Sequence, residues 1–385
     1  MKRGISILLA LALCVGLTGS ALARPRPIND VAWCAVEDVD LSDVREENGR
    51  IAGVIHMPES PYIQGEVRID CSIPEAFPAE QARRLHVAYR PVGKKELEAA
   101  MKAVGQKTKA GELHQWSNAN EFQVSYSLWP MNAEPSGFSN HLLLDASRTD
   151  DPACAETYAQ AKEAARALLT QLGAAAYEPL LHANRYDEAH CLPEDALAEY
   201  SHGDALRERV IESFRENARK TKYTQPGLTM VNGMFELYGL PVMHQYSWME
   251  GKDLMGASSE FRAIVSDDGE VRMFQLWGSP TVESAEALPL PAYTWQEMIA
   301  HLASSWWLGN PHAQDVQLSD SGSEPYTRYA TYAVITEIRP CWIGYERNQL
   351  VPGYYMNVEE RTVSGDKLIC VWSSYGDAET LTLTH

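Results

Sequence analysis

The feature of this sequence that most constrains its fold is a helical pattern followed by a long run of alternating apolar residues. Asp151 and Pro152 suit the start of an amphipathic helix that ends before Gly173. From Leu228 onward the hydrophobic period changes to two, which predicts consecutive strands. The segment Asp267-Asp268-Gly269 predicts a tight turn between the last two strands of the run. Strands joined by such turns are antiparallel.

The same order of elements occurs again nearer the C-terminus. Thr294 and Glu297 have the spacing of a capping box and predict the start of a second helix. The strand-like segments that follow are 326–338, 342–345, 351–359 and 367–373. Helices that alternate with antiparallel runs indicate an α+β protein and not a parallel sheet. We therefore predict helices packed on antiparallel sheets, in two helix-plus-meander units.

The region before these units is predicted to be rich in strands. Its candidate strands are 51–57, 65–69, 85–89, 121–128 and 141–145, and its candidate helices are 78–84 and 94–104. Residues 204–220 predict a further amphipathic helix, and the prolines within 280–291 indicate a linker. The predicted domains are 24–150, 151–290 and 291–385.

Residues 1–23 are typical of a secretory signal peptide. Basic residues precede an apolar core at 5–17, and a small-x-small cleavage pattern ends at Ala23. The core is too short to span a membrane. The alternative is lipidation at Cys14, but Leu13 replaces the small residue that normally precedes a lipidated cysteine. We expect a secreted, extracytoplasmic protein that is cleaved after Ala23 and has no transmembrane segment in its mature chain.

Composition narrows the class of protein and of partner. With 45% hydrophobic and 22% charged residues, the chain has the composition of a globular protein. Its 33 Lys and Arg against 52 Asp and Glu give a formal net charge of −19. An acidic surface repels phosphate backbones, so a nucleic-acid partner is not expected.

Six cysteines remain after removal of the signal peptide, and an even number in an exported chain predicts three disulfides. They are Cys34, Cys71, Cys154, Cys191, Cys341 and Cys370. Six cysteines allow 15 connectivities, and their even spread favours the sequential pairs Cys34–Cys71, Cys154–Cys191 and Cys341–Cys370. The chain has no Cys-x-x-Cys and no cysteine–histidine cluster with zinc-finger spacing, which argues against zinc.

The C-terminal strands resemble those of a known family. Residues 338–345 (IRPCWIGY), 350–358 (LVPGYYMNV) and 367–372 (KLICVW) are similar to the closing strands of PepSY-like domains, and 239–242 with 265–271 resemble a preceding copy. The resemblance covers about 151–385. It implies a helix on an antiparallel sheet, a location outside the cytoplasmic membrane and no catalytic residues.

Relatives of this kind serve as peptidase-inhibiting propeptide modules or as accessory regulators of cell-wall sensor kinases, the YycI type. The chain differs from them at Gly353-Tyr354, where the family usually has tryptophan after its Val-Pro pair, and it has no membrane anchor of the kinase-regulator kind.

Motifs of the common hydrolases, metalloproteases and nucleotide-binding proteins are absent. An acidic stretch begins like an EF-hand at Asp38 but has Asp43 and Gly49 where the loop needs Gly and Glu. The paired carboxylates of Asp267 and Asp268 are explained by turn chemistry. We therefore expect no cofactor, no metal and no catalytic residues.

The function predicted from these observations is that of an exported, non-enzymatic binding or regulatory protein of the bacterial cell envelope. It would act by contact with an envelope protein or peptide. The candidate contact surface consists of aromatic side chains, namely Trp307, Tyr354, Tyr355 and Trp372. The alternative is a secreted glycan-binding protein or hydrolase that uses residues 24–150 and exposed aromatic side chains.

Overall fold

The computed structural model describes a large part of the chain. The described residues are 34–58, 66–90, 92–106, 112–118, 121–127, 151–185, 227–243, 260–277, 279–305, 331–346, 349–362, 368–379, 381 and 383–384. The predictions for 1–23, 141–145, 204–220, Cys191 and Trp307 lie outside these ranges.

The described residues form three α-helices and seventeen strands. The helices are α1 (Lys94–Ala103), α2 (Ala155–Gln171) and α3 (Trp295–Ser305). The strands are β1 (Arg45–Glu47), β2 (Arg50–Ile55), β3 (Val67–Ser72), β4 (Arg83–Arg90), β5 (Glu112–Asn118), β6 (Glu121–Ser127), β7 (His182–Arg185), β8 (Leu228–Met234), β9 (Glu236–Leu237), β10 (Leu240–Met243), β11 (Glu260–Ser266), β12 (Val271–Trp277), β13 (Ser279–Ala287), β14 (Thr331–Glu346), β15 (Gln349–Thr362), β16 (Leu368–Asp377) and β17 (Leu383–Thr384).

These strands form two sheets, so the prediction of the α+β class is confirmed. The smaller sheet has the order β5-β6-β12-β11-β8-β7 and is antiparallel throughout. The larger sheet follows the path β1-β2-β3-β14-β15-β16-β17, with β4, β9, β10 and β13 joined to it. It is mixed, because β3 and β10 run parallel to β14. The expectation of purely antiparallel sheets is therefore wrong for this sheet.

The sheets do not follow the predicted domain boundaries at 150 and 290. The region 24–150 contributes β1 to β4 to the larger sheet but β5 and β6 to the smaller one. The chain also passes from β12 in the smaller sheet directly into β13 in the larger sheet. One apolar core includes residues of both sheets. Local hydrophobic periodicity does not depend on pairing between distant segments. The sequence pattern therefore suggested separate domains.

The centre of the larger sheet is the long hairpin of β14 and β15, which pair from Thr331 opposite Thr362 to Glu346 opposite Gln349. The outer edge of β14 pairs with β3 at 333–335 and with β10 at 342–343, and Pro340 lies between these stretches. The prediction that a strand ends before this proline is wrong. A proline has no N–H to donate, so it fits where the edge of a strand changes partner.

Pro352 occupies the equivalent place on β15. The outer edge of β15 pairs with β4 at 349–350 and with β16 from Gly353 onward. Pro352 therefore also lies at a change of partner. Each long strand continues through its proline because no ladder hydrogen bond is required there.

Two other local predictions are corrected by long-range pairing. Residues 280–287 of the predicted linker belong to β13, which pairs with β4. Pro280 is tolerated because, among the described strands, β13 pairs with β4 alone and so lies at an edge. The predicted helix at 78–84 is a single 3-10 turn at Ala79–Gln81, and β4 begins two residues later.

The predicted helix starts are found in the structure, with one difference in detail. The Asp151 carboxylate accepts a hydrogen bond of 2.8 Å from the Ala153 N–H and caps a 3-10 turn at Pro152–Cys154, which leads directly into α2. Thr294 and Glu297 form a reciprocal capping box, with distances of 2.8 Å from Thr294 N to Glu297 Oε2 and 3.2 Å from Glu297 N to Thr294 Oγ1. Among the described residues, no helix is long and apolar enough to cross a membrane.

The structure does not form two of the predicted disulfides. Cys34 and Cys71 have free thiols, and burial raises the pKa of the Cys71 thiol to about 12. In the hairpin, Cys341 lies opposite Gly353, whereas Cys370 lies opposite Glu360. Those two levels of β15 are about 23 Å apart at 3.3 Å per residue, whereas a disulfide needs Cα atoms within about 7 Å. The pair Cys341–Cys370 is therefore wrong, because the hairpin register separates its members.

Gly353 provides a test of the hairpin packing. A Cβ atom built at this position would overlap the Ile343 side chain and lie 2.7 Å from the Gly376 carbonyl oxygen. We expect Gly353→Ala to lower the free energy of unfolding by about 1–3 kcal/mol, measured by urea denaturation. The control is Gly93→Ala at the N-cap of α1, where nothing lies within 4 Å of the added atom and φ is −79°, so only the smaller loss from a poorer cap is expected. Equal effects of the two substitutions would contradict the close approach at Gly353.

Candidate functional site

A groove of about 540 Å³ runs along the outer side of α2. Its lining combines small apolar side chains with polar ones and comes from α2, the end of α1 and the β11–β12 turn. The lining residues are Val104, Gln106, Ala159, Gln160, Glu163, Ala164, Ala167, Asp267, Asp268 and Gly269. The groove is wide and open to solvent. It includes the carboxylate pair that the sequence singled out.

Both carboxylates of this pair have structural partners. Asp267 accepts hydrogen bonds from both terminal nitrogens of Arg185. Asp268 accepts from the Ser266 hydroxyl and from the Glu270 N–H, and these bonds lower the pKa of the Asp268 carboxyl. The turn chemistry predicted for Asp267-Asp268-Gly269 is confirmed by the Gly269 N–H, which donates to the Ser266 carbonyl at 2.7 Å.

Gln106, just after α1, forms hydrogen bonds with the β11–β12 turn. Its amide nitrogen donates to the Gly269 carbonyl at 2.9 Å, and its amide oxygen accepts from the Val271 N–H at 2.7 Å. With both ends of this amide bonded to backbone, the turn is held in one position relative to α1. The polar groups of the groove are therefore used mainly to hold secondary-structure elements together.

The two tyrosines predicted as a binding surface are buried. The Tyr354 hydroxyl accepts from the Phe77 N–H at 2.9 Å within the main core. The Tyr355 hydroxyl donates to Glu337 at 3.0 Å on the opposite face, where burial and the nearby carboxylate raise its pKa. The two side chains point to opposite faces of the strand. The surface prediction is wrong for both, because β15 is covered on both faces.

Glu337 is the centre of the polar cluster on that second face. Besides the bond from Tyr355, it accepts from the Asn357 amide at 2.9 Å and pairs with Arg339. A carboxylate with this many partners is oriented and neutralised in place. Trp372 lies opposite Val358 in β16, and its side chain lies outside the described part of the structure.

The described residues present one large exposed apolar side chain, that of Tyr238, which is 56% exposed. Tyr238 and Gly239 link β9 to β10 and have φ angles of 53° and 80°. Positive φ at both central residues is typical of a type I′ turn, which favours Asn or Asp followed by Gly. A tyrosine in this left-handed conformation is disfavoured by about 1–2 kcal/mol.

The Tyr238 turn is held in place by contacts with Gln81 and Trp342. The Gln81 amide nitrogen donates to the Tyr238 carbonyl at 3.0 Å. The Tyr238 ring lies edge-on to Trp342, with centroids 6.4 Å apart, and the Trp342 indole N–H donates to the Leu237 carbonyl at 2.9 Å. The contacts that hold this turn thus come from two distant parts of the chain, at Gln81 and at Trp342.

Sequence reasoning missed Tyr238. The available signal was a Tyr-Gly pair between two strand-like segments. A two-residue hairpin turn at this place favours Asn-Gly or Asp-Gly. A residue that contradicts its local turn preference is a candidate for a functional role, because the strain must be tolerated for another reason.

Tyr238→Asn tests whether the turn is strained. We expect the substitution to raise the free energy of unfolding by about 1 kcal/mol, because asparagine adopts positive φ more readily than tyrosine. Thermal and urea unfolding of the two proteins provide the measurement. A loss of stability would show that the ring contact with Trp342 outweighs the backbone strain.

The Asp268 carboxyl predicts a pH dependence. Its pKa in the folded protein lies below that of the unfolded chain, so its stabilising effect is present above about pH 4 and is lost as the pH falls through the folded-state pKa. We expect the difference in Tm between the wild type and Asp268→Asn to shrink below about pH 4. A difference that stays constant from pH 7 to pH 3 would contradict the assigned hydrogen bonds.

Comparisons with known proteins do not identify a family. No protein-family profile and no curated protein matches the chain. Among solved structures, an uncharacterized protein from Eubacterium rectale ATCC 33656 is similar, with 10% sequence identity and a TM-score of 0.43. The alignment covers 88% of this chain and 93% of that one. A similarity at this level carries no argument about function.

Proposed function

We propose that this protein is an exported binding or regulatory module of the bacterial cell envelope, which acts by contact with another protein and not by catalysis. The observation that carries the proposal is the exposed ring of Tyr238, held on a strained but well-supported turn. Tyrosine is enriched among the residues that dominate binding energy at protein interfaces. It buries a large apolar area and has few rotatable bonds to immobilise.

The charge around the turn favours a partner with a basic surface. Glu236 lies two residues before Tyr238, and Glu80 precedes the Gln81 that supports the turn; both glutamates are exposed. The whole chain carries a net charge of −19. Complementary charge mainly accelerates association and makes it dependent on salt. The partner would combine an apolar pocket for the ring with lysine or arginine at its rim.

The PepSY-like arrangement of two units belongs to the same proposal. The first unit would be α2 with β8, β11 and β12, since α2 packs on β8 and β11 through its buried face. The second would be α3 with β14, β15 and β16, which are sequential neighbours in the larger sheet. In both units strands from elsewhere in the chain extend the sheet, so this protein would be an elaborated version of the pattern.

The test is in-cell crosslinking of the tagged, full-length protein in its native host, followed by mass spectrometry. We expect the wild type to capture one envelope protein reproducibly, and we expect Tyr238→Asn to lose that protein, because the ring is removed while the turn is kept. Tyr238→Phe is the matched control and should retain capture, since it keeps the ring.

Recovery of the wild type as a bare monomer, or equal capture by the wild type and Tyr238→Asn, would contradict the proposal. Glycan arrays and hydrolase screens would then test the alternative of a glycan-binding protein or hydrolase.

A further inference from the structure

Strand β13 has a free edge at one end of the larger sheet. Among the described strands it pairs with β4 alone, and it is longer than β1, β9 and β17 at the other ends of that sheet. Residues 283–287, the last five of the strand, are all exposed. Its neighbour β4 is firmly held, because Leu85 and Val87 are each 1% exposed in the main core and β4 also pairs with β15. An edge of this kind is a rigid template for another strand.

The register shows which backbone groups of β13 point away from β4. The Leu288 N–H donates to the Ala82 carbonyl at 2.9 Å, so these two residues are a hydrogen-bonded pair. In an antiparallel ladder such pairs alternate with pairs whose N–H and C=O groups point outward. The register is regular through 284–287, so Ala285 and Ala287 are the outward residues. Their backbone groups are about 7 Å apart along the strand, which is the spacing that an added strand requires.

The first half of β13 is closed to such pairing. Pro280 has no N–H to donate, and the register shifts between Val282 and Ser284, which places a bulge at Glu283. Prolines and bulges protect edge strands against pairing with other chains. Both devices lie before the segment 284–287, so this segment is the place where another strand fits. We call it the β13 edge.

The side chains of the β13 edge define the chemistry of its partner. On one face, Ala285 is small and exposed and lies opposite the buried Leu85, so an apolar side chain on an added strand would extend the apolar surface. The Glu286 side chain lies on the other face and is 63% exposed. Its basic neighbours Arg84 and His86 are on β4, away from the free edge. An added strand can therefore place lysine or arginine beside Glu286 from the open side.

We propose that the β13 edge binds an extended peptide segment in which apolar residues alternate with lysine or arginine. The segment adds a strand to the sheet, with backbone hydrogen bonds to Ala285 and Ala287 and a basic side chain beside Glu286. This surface differs from the Tyr238 turn, because β4, β15 and β14 lie between β13 and β10 in the sheet. The proposal does not depend on the function proposed for that turn.

The test is selection of random dodecapeptides displayed on phage against the full-length protein, followed by fluorescence anisotropy of the selected peptides. We expect the recovered peptides to alternate apolar and basic residues. N-methylation of one alternate set of peptide amides should weaken binding by about tenfold or more, because strand addition needs those N–H groups. N-methylation of the intervening amides, which point away from the sheet, is the matched control and should change the affinity little.

Variants of the protein locate the site. Ala285→Pro removes an N–H that is not bonded to β4, so we expect an unchanged Tm and peptide binding that is weaker by about tenfold or more. Ala285→Gly is the matched control, because it retains the N–H, and it should bind like the wild type. Glu286→Lys should weaken binding of the basic peptides, and its difference from the wild type should decrease as salt is added. Tyr238→Asn should bind these peptides like the wild type.

Several outcomes would overturn the proposal. Selection that enriches no peptide, equal binding by the wild type and Ala285→Pro, or equal effects of the two N-methylated sets would exclude strand addition at the β13 edge. Loss of peptide binding in Tyr238→Asn, with Ala285→Pro unaffected, would place the peptides at the turn. A wild-type dimer in sedimentation that Ala285→Pro dissociates would identify a second copy of this chain as the occupant of the edge.

Discussion

The hairpin of β14 and β15 is the constraint on which the rest of the larger sheet depends. Each of its two strands uses one edge for the other and the remaining edge for two further partners in succession. Pro340 and Pro352 lie where those partners change, at positions that need no hydrogen-bond donor. The β14–β15 hairpin therefore pairs with strands from the beginning, the middle and the end of the chain, which all belong to one sheet.

The β14–β15 hairpin is buried on both faces, which explains why it carries large apolar side chains on each face. Trp342 and Tyr354 lie in the main core, whereas Cys341 and Tyr355 lie in a second cluster on the other face. A strand buried on both faces cannot show clear alternation of polar and apolar residues. Polar groups on such a strand need partners within the protein, as the bond from Tyr355 to Glu337 illustrates.

The candidate interaction feature lies where a local preference is not met. Tyr238 has a backbone conformation that suits asparagine or glycine. The groove beside α2 is different, because its carboxylates and its glutamine are engaged in holding the turn and the helices. Unmet preferences are tolerated in proteins when they serve binding, whereas satisfied polar groups are mostly structural.

The amino-acid sequence by itself determined the local elements whose signals are contained within a few residues. The capping box at Thr294 and the turn at Asp267-Asp268-Gly269 form as predicted, and Asp151 caps the 3-10 turn that leads into α2. Each of these depends on neighbouring side chains and backbone groups. The α+β class also followed from the alternation of such elements.

Only the tertiary structure decided which strands share a sheet, which tyrosines are buried and which cysteines are too far apart to bond. Tyr354 and Tyr355 were predicted to lie at the surface because the sequence of a strand defines its two faces but not what covers them. Cys341 and Cys370 were predicted to pair because the even spread of the six cysteines favours sequential pairs, yet the hairpin register places them far apart. These features depend on contacts between residues that are distant in the chain. Local sequence patterns do not predict such contacts.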